Sequence, residues 1–156
     1  MIYLFDTGSF SKLKHFYPSV FKSVWIGLDT LVTEGLLLST KEVWNELEGG
    51  DPHKPLQDWL KARKNLFTTP TQAELSFVGR IFAVDHFQTL IGEKQRLRGM
   101  PVADPFVIAA AAIRGGTVVS EEQFKPNAAK IPNVCRHFSI GCVSLEEFMA
   151  KEGWQF

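Results

Sequence analysis

The sequence predicts an α/β fold built on a mainly parallel central sheet, and three observations carry that prediction. Short β-prone apolar runs recur along the chain, segments of helical period separate them, and capping or turn residues punctuate most junctions. With 156 residues, 45% of them hydrophobic, one compact domain spanning residues 1–156 is expected. Its core needs neither disulfides nor a structural metal.

The first run, Ile-Tyr-Leu-Phe at residues 2–5, reads as a buried strand with Asp6 at its carboxyl end. Between Lys12 and Glu34, apolar residues at Val20, Val24, Ile26, Leu28, Leu31 and Val32 suggest one or two helices interrupted near Pro18. GLLLS, residues 35–39, is a second strand, and Ser39 or Thr40 caps the helix KEVWNELEGG, which closes on a glycine pair. DPHKP reads as a loop; LQDWLKARKN resumes the helical period, LFTTP breaks it, and residues 71–99 form a long helical segment, one helix or two. Asp104 precedes Pro105, the residue favoured at the first helical position, so Asp104 reads as the N-cap of a small apolar helix, PFVIAAAAIR, that Gly115 and Gly116 close. TVVS follows as a strand, with Glu121 and Glu122 directly behind it. A last strand, IGCVS, precedes the helix LEEFMAKEG, whose cap Ser144 has Glu147 three residues on, the spacing of a capping box. No internal repeat or linker divides the chain.

Bulk properties narrow the function classes. Seventeen basic residues balance seventeen acidic ones, so no global positive field announces a nucleic-acid partner and any such site must be local. Cys135 and Cys142, seven apart with no second pair, indicate neither a zinc site nor a disulfide scaffold and suit a reducing cytoplasm. No basic leader and no apolar run near the roughly 20 residues of a membrane helix is found, so a soluble protein without a signal peptide or membrane anchor is expected.

In an open parallel sheet, ligands bind beyond the carboxyl ends of the strands. Asp6 and Glu122 are strand-end acids, Asp104 opens a helix, and Glu46 lies beside the apolar stripe of Val43 and Leu47 on its helix. Singly, Asp104 reads as a cap, Glu46 as a solvated helix residue and Glu122 as a loop acid; their joint order carries the weight. A carboxylate pointing towards a sheet needs a partner, and clustered acids repel one another unless a hard cation such as Mg²⁺ or Mn²⁺ joins them. Such a cation can activate water and neutralise a phosphodiester. No Ser-His-Asp or Cys-His arrangement and no P-loop glycine pattern competes.

That order resembles the PIN-domain nucleases over most of the chain. YLFDTGSF is similar to the opening strand with its metal-binding Asp, here Asp6; LSTKEVWNELEGG to the helix that carries Glu, here Glu46; and PVADPFVIAAAAIRGGTVVSEEQF to the last two motifs, here Asp104, Ser120 and Glu122. The Pro after Asp104, the Glu at the final acid position and the tail KIPNVCRHF resemble a poorly characterised bacterial and archaeal branch. The resemblance implies a three-layer α/β/α sandwich and an endoribonuclease using Mg²⁺ or Mn²⁺, with Asp6, Glu46, Asp104 and Glu122 on the metal and Ser120 positioning a ligand or water. Similarity to the VapC ribonucleases further implies the toxin of a type II toxin-antitoxin pair, cytoplasmic, silenced by a small antitoxin and commonly a homodimer. The family's usual fourth acid is Asp, whereas Glu121 and Glu122 stand side by side here, and spacing selects Glu122.

The alternatives from another class are a catalytically weak PIN-like module that binds RNA or protein, and, more distantly, a phosphatase. An aspartic protease would set Asp-Thr-Gly inside an all-β fold, and a dehalogenase-type phosphatase wants a second Asp where Gly8 stands; Gly8 instead reads as a tight turn beside the metal. Local cations at Lys94, Arg96 and Arg98, or in KARKN at residues 61–65, could lead RNA to the acids or simply solvate helix ends.

Overall fold

The computed structural model describes residues 1–50, 53–90 and 102–156. Five strands form one sheet: β1 (Tyr3–Phe5), β2 (Leu37–Thr40), β3 (Phe67–Thr68), β4 (Thr117–Val119) and β5 (Gly141–Val143). The order is β3-β2-β1-β4-β5 and every pairing is parallel. The chain starts in the middle, builds outwards through β2 and β3, then returns to the other flank of β1 with β4 and β5. That reversal of strand order creates a crevice at the carboxyl ends of β1 and β4, the position such sheets use for ligands.

Helices cover the sheet in a three-layer α/β/α arrangement. Those in the described residues are α1 (Thr7–Lys12), α2 (Lys22–Thr33), α3 (Lys41–Gly49), α4 (Lys54–Ala62), α5 (Gln72–Phe82), α6 (Asp104–Arg114), α7 (Ile131–His137) and α8 (Leu145–Lys151). Tyr3, Leu4 and Phe5 are all buried, as a central parallel strand covered on both faces must be. The Phe148 ring of α8 meets Tyr3 and Phe5 edge-on at 4.7 and 5.1 Å between centroids, and Phe10 of α1 lies 5.1 Å from Phe5. Helix α6 buries Val107, Ile108 and three consecutive alanines, whose small side chains let it press against the sheet. Gly115 ends it in the left-handed conformation at φ 68°, and a Cβ on Gly116 would stand only 2.7 Å from Leu4.

Several elements differ from the sequence expectations. The segment LFTTP contains β3, a two-residue strand formed by pairing Phe67 and Thr68 with Ser39 and Thr40. KIPNVCRHF folds as α7. His53 of the DPHKP segment caps α4 by accepting from Leu56 N, so its last residues open a helix and are not a loop. The first helix begins already at Thr7, and the long helical segment breaks after Phe82 into a 3₁₀ turn at Asp85–Leu90. Thr40 caps α3, while Ser39 donates to Phe5 O at 2.7 Å and ties β2 to β1. The capping box at Ser144 and Glu147 forms as its spacing predicts. Both cysteines are free. Among the described residues no helix is long and apolar enough to cross a membrane.

The cations Lys94, Arg96 and Arg98 lie outside the described residues. In the second basic cluster, Arg63 pairs with Asp29 and lies 4.7 Å from the Trp59 ring, and Lys64 lies 5.0 Å from the Trp44 ring. Both therefore belong to the packing of α2, α3 and α4.

Candidate active site

Register places the first two groups. Phe5 pairs with Val119, so the residues that follow them, Asp6 and Ser120, leave adjacent strands at the same level. Asp6 N donates to Val119 O at 3.2 Å, Ser120 N donates to Val143 O at 2.9 Å, and both residues are buried. Asp6 is the N-cap of α1: its Oδ1 accepts from Ser9 N at 2.8 Å. Gly8 is consequently helical and makes no tight turn, correcting that expectation; a Cβ there would sit 3.8 to 4.0 Å from the Asp6 oxygens, in ordinary contact.

Asp104 does not cap its helix. Ala103 holds the cap position with no side-chain hydrogen bond, and Asp104 is the first helical residue, ahead of Pro105. The cap reading of Asp104 therefore fails, because Ala103 already bends the chain into the helix. Glu46 of α3 fastens this end of the molecule: Oε1 accepts from Thr7 Oγ1, and Oε2 accepts from Ala103 N at 3.1 Å. One carboxylate thus links the residue after Asp6 to the residue before Asp104. Glu122 Oε2 accepts from Ile131 N at 2.8 Å, and its own N–H donates to Ser120 Oγ at 3.1 Å.

Glu121 turns away. Its Oε1 accepts from Leu145 N at 2.7 Å and its Oε2 pairs with Lys12 at 2.8 Å. Burial would raise its carboxyl, but the Lys12 ammonium and the Leu145 N–H outweigh that and hold it below the usual range.

Electrostatics show which acids sense one another. Burial first, and then the charges of Glu122, Asp6 and Glu46, push the Asp104 carboxyl up to about 8; Lys130 has the smallest effect, in the opposite direction. Asp6 is raised by burial and by Glu122, although hydrogen bonds from Ser120 and Ser9 oppose the rise. A buried acid held among three others is in an environment that disfavours its charged form. A hard divalent cation would reverse that, and four carboxylates with a hydroxyl are the oxygen donors Mg²⁺ or Mn²⁺ takes. The chemistry of the set therefore fits such an ion. Its spacing is looser than a coordination shell: among the described residues, no three His, Cys, Asp or Glu side chains converge closely enough to hold a metal.

A cleft of about 510 Å³ opens beside the acids, and its lining includes Ser120, Glu122, Phe124 and Lys12. It reaches the acid set through Ser120 and Glu122 and does not include Asp6, Glu46 or Asp104.

Sequence reasoning missed Thr7, Ser9, Lys130 and the backbone N–H groups of Ala103 and Ile131, all of which act on the acids from elsewhere in the chain. Only Ser9 had a local signal, since it lies three residues after an acid at a strand end, the spacing of an N-cap contact.

A family model described as "Domain of unknown function (DUF4411)" matches residues 3–156. None of the curated proteins matches the sequence. Among solved structures, the chain is similar to PAE2754 from Pyrobaculum aerophilum, with a TM-score of 0.55 and 15% identity over 99% of this chain and 98% of that one. It is also similar to VapBC2 from Rickettsia felis, solved bound to a DNA fragment from their promoter, with a TM-score of 0.52 and 13% identity over 92% of this chain and 98% of that one. At these identities the likeness is one of fold, and the fold is PIN-like, of the VapC type.

Proposed function

Because the chain belongs to the DUF4411 family and has a PIN-like fold, we propose that it is a single-domain, Mg²⁺- or Mn²⁺-dependent endoribonuclease that hydrolyses RNA phosphodiester bonds. The observation that carries this reading is Asp104, a carboxyl pushed up to about 8 by burial and by three neighbouring acids. Carboxylates gathered this way destabilise the fold unless something outside the chain balances their charge. RNA alone would add negative charge, so a cation must come with it.

Asp6, Glu46, Asp104 and Glu122 would hold the ion, which when bound supplies charge neutralisation at phosphorus and an activated water. The chain's own part is to aim those groups. Ser9 N fixes the Asp6 carboxylate, Thr7 and Ala103 fix Glu46, and Ile131 N fixes Glu122. The Ser120 Oγ accepts from Glu122 N, and the Ser120 hydroxyl also hydrogen-bonds Asp6, so it positions two of the acids at once. Pre-set donors and acceptors of this kind lose little freedom when the substrate arrives.

The VapC-type fold supports a toxin reading, in which a small antitoxin would cover the acids in the cytoplasm and a homodimer could form. A second reading is favoured by the loose spacing of the carboxylates. It makes the chain a catalytically weak PIN-like module that binds RNA or protein. The test is cleavage of a panel of structured and single-stranded RNAs in Mn²⁺ by the wild type and by Asp6→Asn. Cleavage by the wild type alone, stopped by EDTA, supports the nuclease; cleavage by neither, without a rise in melting temperature on adding Mn²⁺, moves the binding module ahead.

A further inference from the structure

Phe124 lies two residues beyond Glu122 in the segment that follows β4 and keeps 45% of its surface exposed. A single exposed phenylalanine is ordinary, but this ring is held and aimed. The Arg136 guanidinium of α7 lies 4.8 Å from its centroid, and the ring lines the cleft of about 510 Å³ that begins at Ser120 and Glu122. The other strongly exposed aromatics, Tyr17 and Phe156, do not line that cleft.

We infer that this cleft is a nucleobase subsite, in which Phe124, backed by Arg136, stacks an unpaired base of the nucleotide next to the phosphate held at the acids. The inference rests on the RNA reading proposed above. Its volume lies in the range of pockets that enclose small ligands. Its walls also carry Glu146 and Glu147. Carboxylates there repel a phosphodiester, yet they accept hydrogen bonds from the amino groups and ring N–H of a base edge. A base can enter only when splayed out of a helix, which selects single-stranded or looped RNA. The cation on the ring holds the platform in place before the base arrives.

The test measures fluorescence anisotropy of a labelled single-stranded oligoribonucleotide in Mg²⁺, on the full chain carrying Asp104→Asn so that the strand is not cut. Adding Phe124→Ala is expected to weaken binding about tenfold, the usual loss of one stacked base. Phe124→Trp is expected to restore it, and a strand of equal length with abasic sites should bind equally weakly with and without Phe124. Because the ring is exposed, melting temperatures should not change. Equal affinity with and without Phe124 overturns the subsite, as does no preference over the abasic strand. Binding of an arginine-rich peptide, lost in Phe124→Ala with no response to RNA, overturns it in favour of a peptide cleft. Cleavage is scored separately with Asp104 in place: cutting that ignores Phe124→Ala removes the subsite and leaves the nuclease, whereas a Phe124-dependent affinity without cutting removes the nuclease and leaves the subsite.

Discussion

Two groups of buried acids meet opposite fates in this molecule. In the helical layer, Glu74 of α5 is almost wholly buried and lies 3.3 Å from the Arg114 guanidinium at the end of α6. At the carboxyl edge of the sheet, Asp6 and Asp104 have other carboxylates as their main charged neighbours, and the nearby Lys12 is engaged by Glu121. Glu74 faces one cation of the chain itself and ties α5 to α6, although Glu42 of α3 adds a like charge nearby. The acids at the sheet edge raise one another instead, the kind of environment in which functional carboxyls are commonly found.

The largest effect that would break this comparison is on cleavage. Asp6→Asn and Asp104→Asn are each expected to lower RNA cleavage in Mn²⁺ by at least about a hundredfold while leaving the circular dichroism spectrum unchanged. Activity that survives both changes would remove the acids from the chemistry. Glu74→Ala should do the reverse, costing about 1–3 kcal/mol of stability in urea unfolding because the partly exposed Arg114 loses its partner and a buried site is emptied. The response of the melting temperature to Mn²⁺ should persist.

A pH titration sharpens the contrast further. Below about pH 4 Asp104 is protonated in both folded and unfolded chains; as pH rises towards about 8, the folded chain keeps a proton that the unfolded chain has released, so stability falls across that window. In EDTA at pH 8, Asp104→Asn should therefore melt about 5 °C above the wild type, and the gap should close as the pH approaches 4. A variant that melts lower at every pH would mean that Asp104 is structural, like Glu74. The smallest effect separates the twin glutamates. Glu121→Gln weakens a partly exposed ion pair and should cost about 1 kcal/mol or less without slowing cleavage, whereas Glu122→Gln should slow it. Equal cleavage rates for the two would erase the distinction drawn between them.

Much of the frame was legible because its signals are local. An apolar run broken by Asp6, a Pro after Asp104, Gly115 at a helix end and Ser144 three residues before Glu147 each report their backbone state from neighbours in sequence. The strand β3 was hidden because two residues carry no period, and only pairing with β2 makes them a strand. The cap at Asp104 was misread for a related reason: Asp before Pro is a common cap pattern, and nothing local reveals that Ala103 has already taken that position.

The sequence by itself determined that strands alternate with helices, that acids stand at strand ends and at one helix start, and that no global charge draws the chain to nucleic acid. These follow from propensity, periodicity and composition, which act over a few residues. Only the tertiary structure decided that Glu121 turns to Lys12 and Leu145 N, that Glu46 spans from Thr7 to Ala103, and that Phe124 meets Arg136 beside a cleft. Contacts between residues such as Thr7 and Glu46 or Ser9 and Val119 arise when strand order brings distant segments to one edge, and burial there turns separate carboxylates into one coupled set.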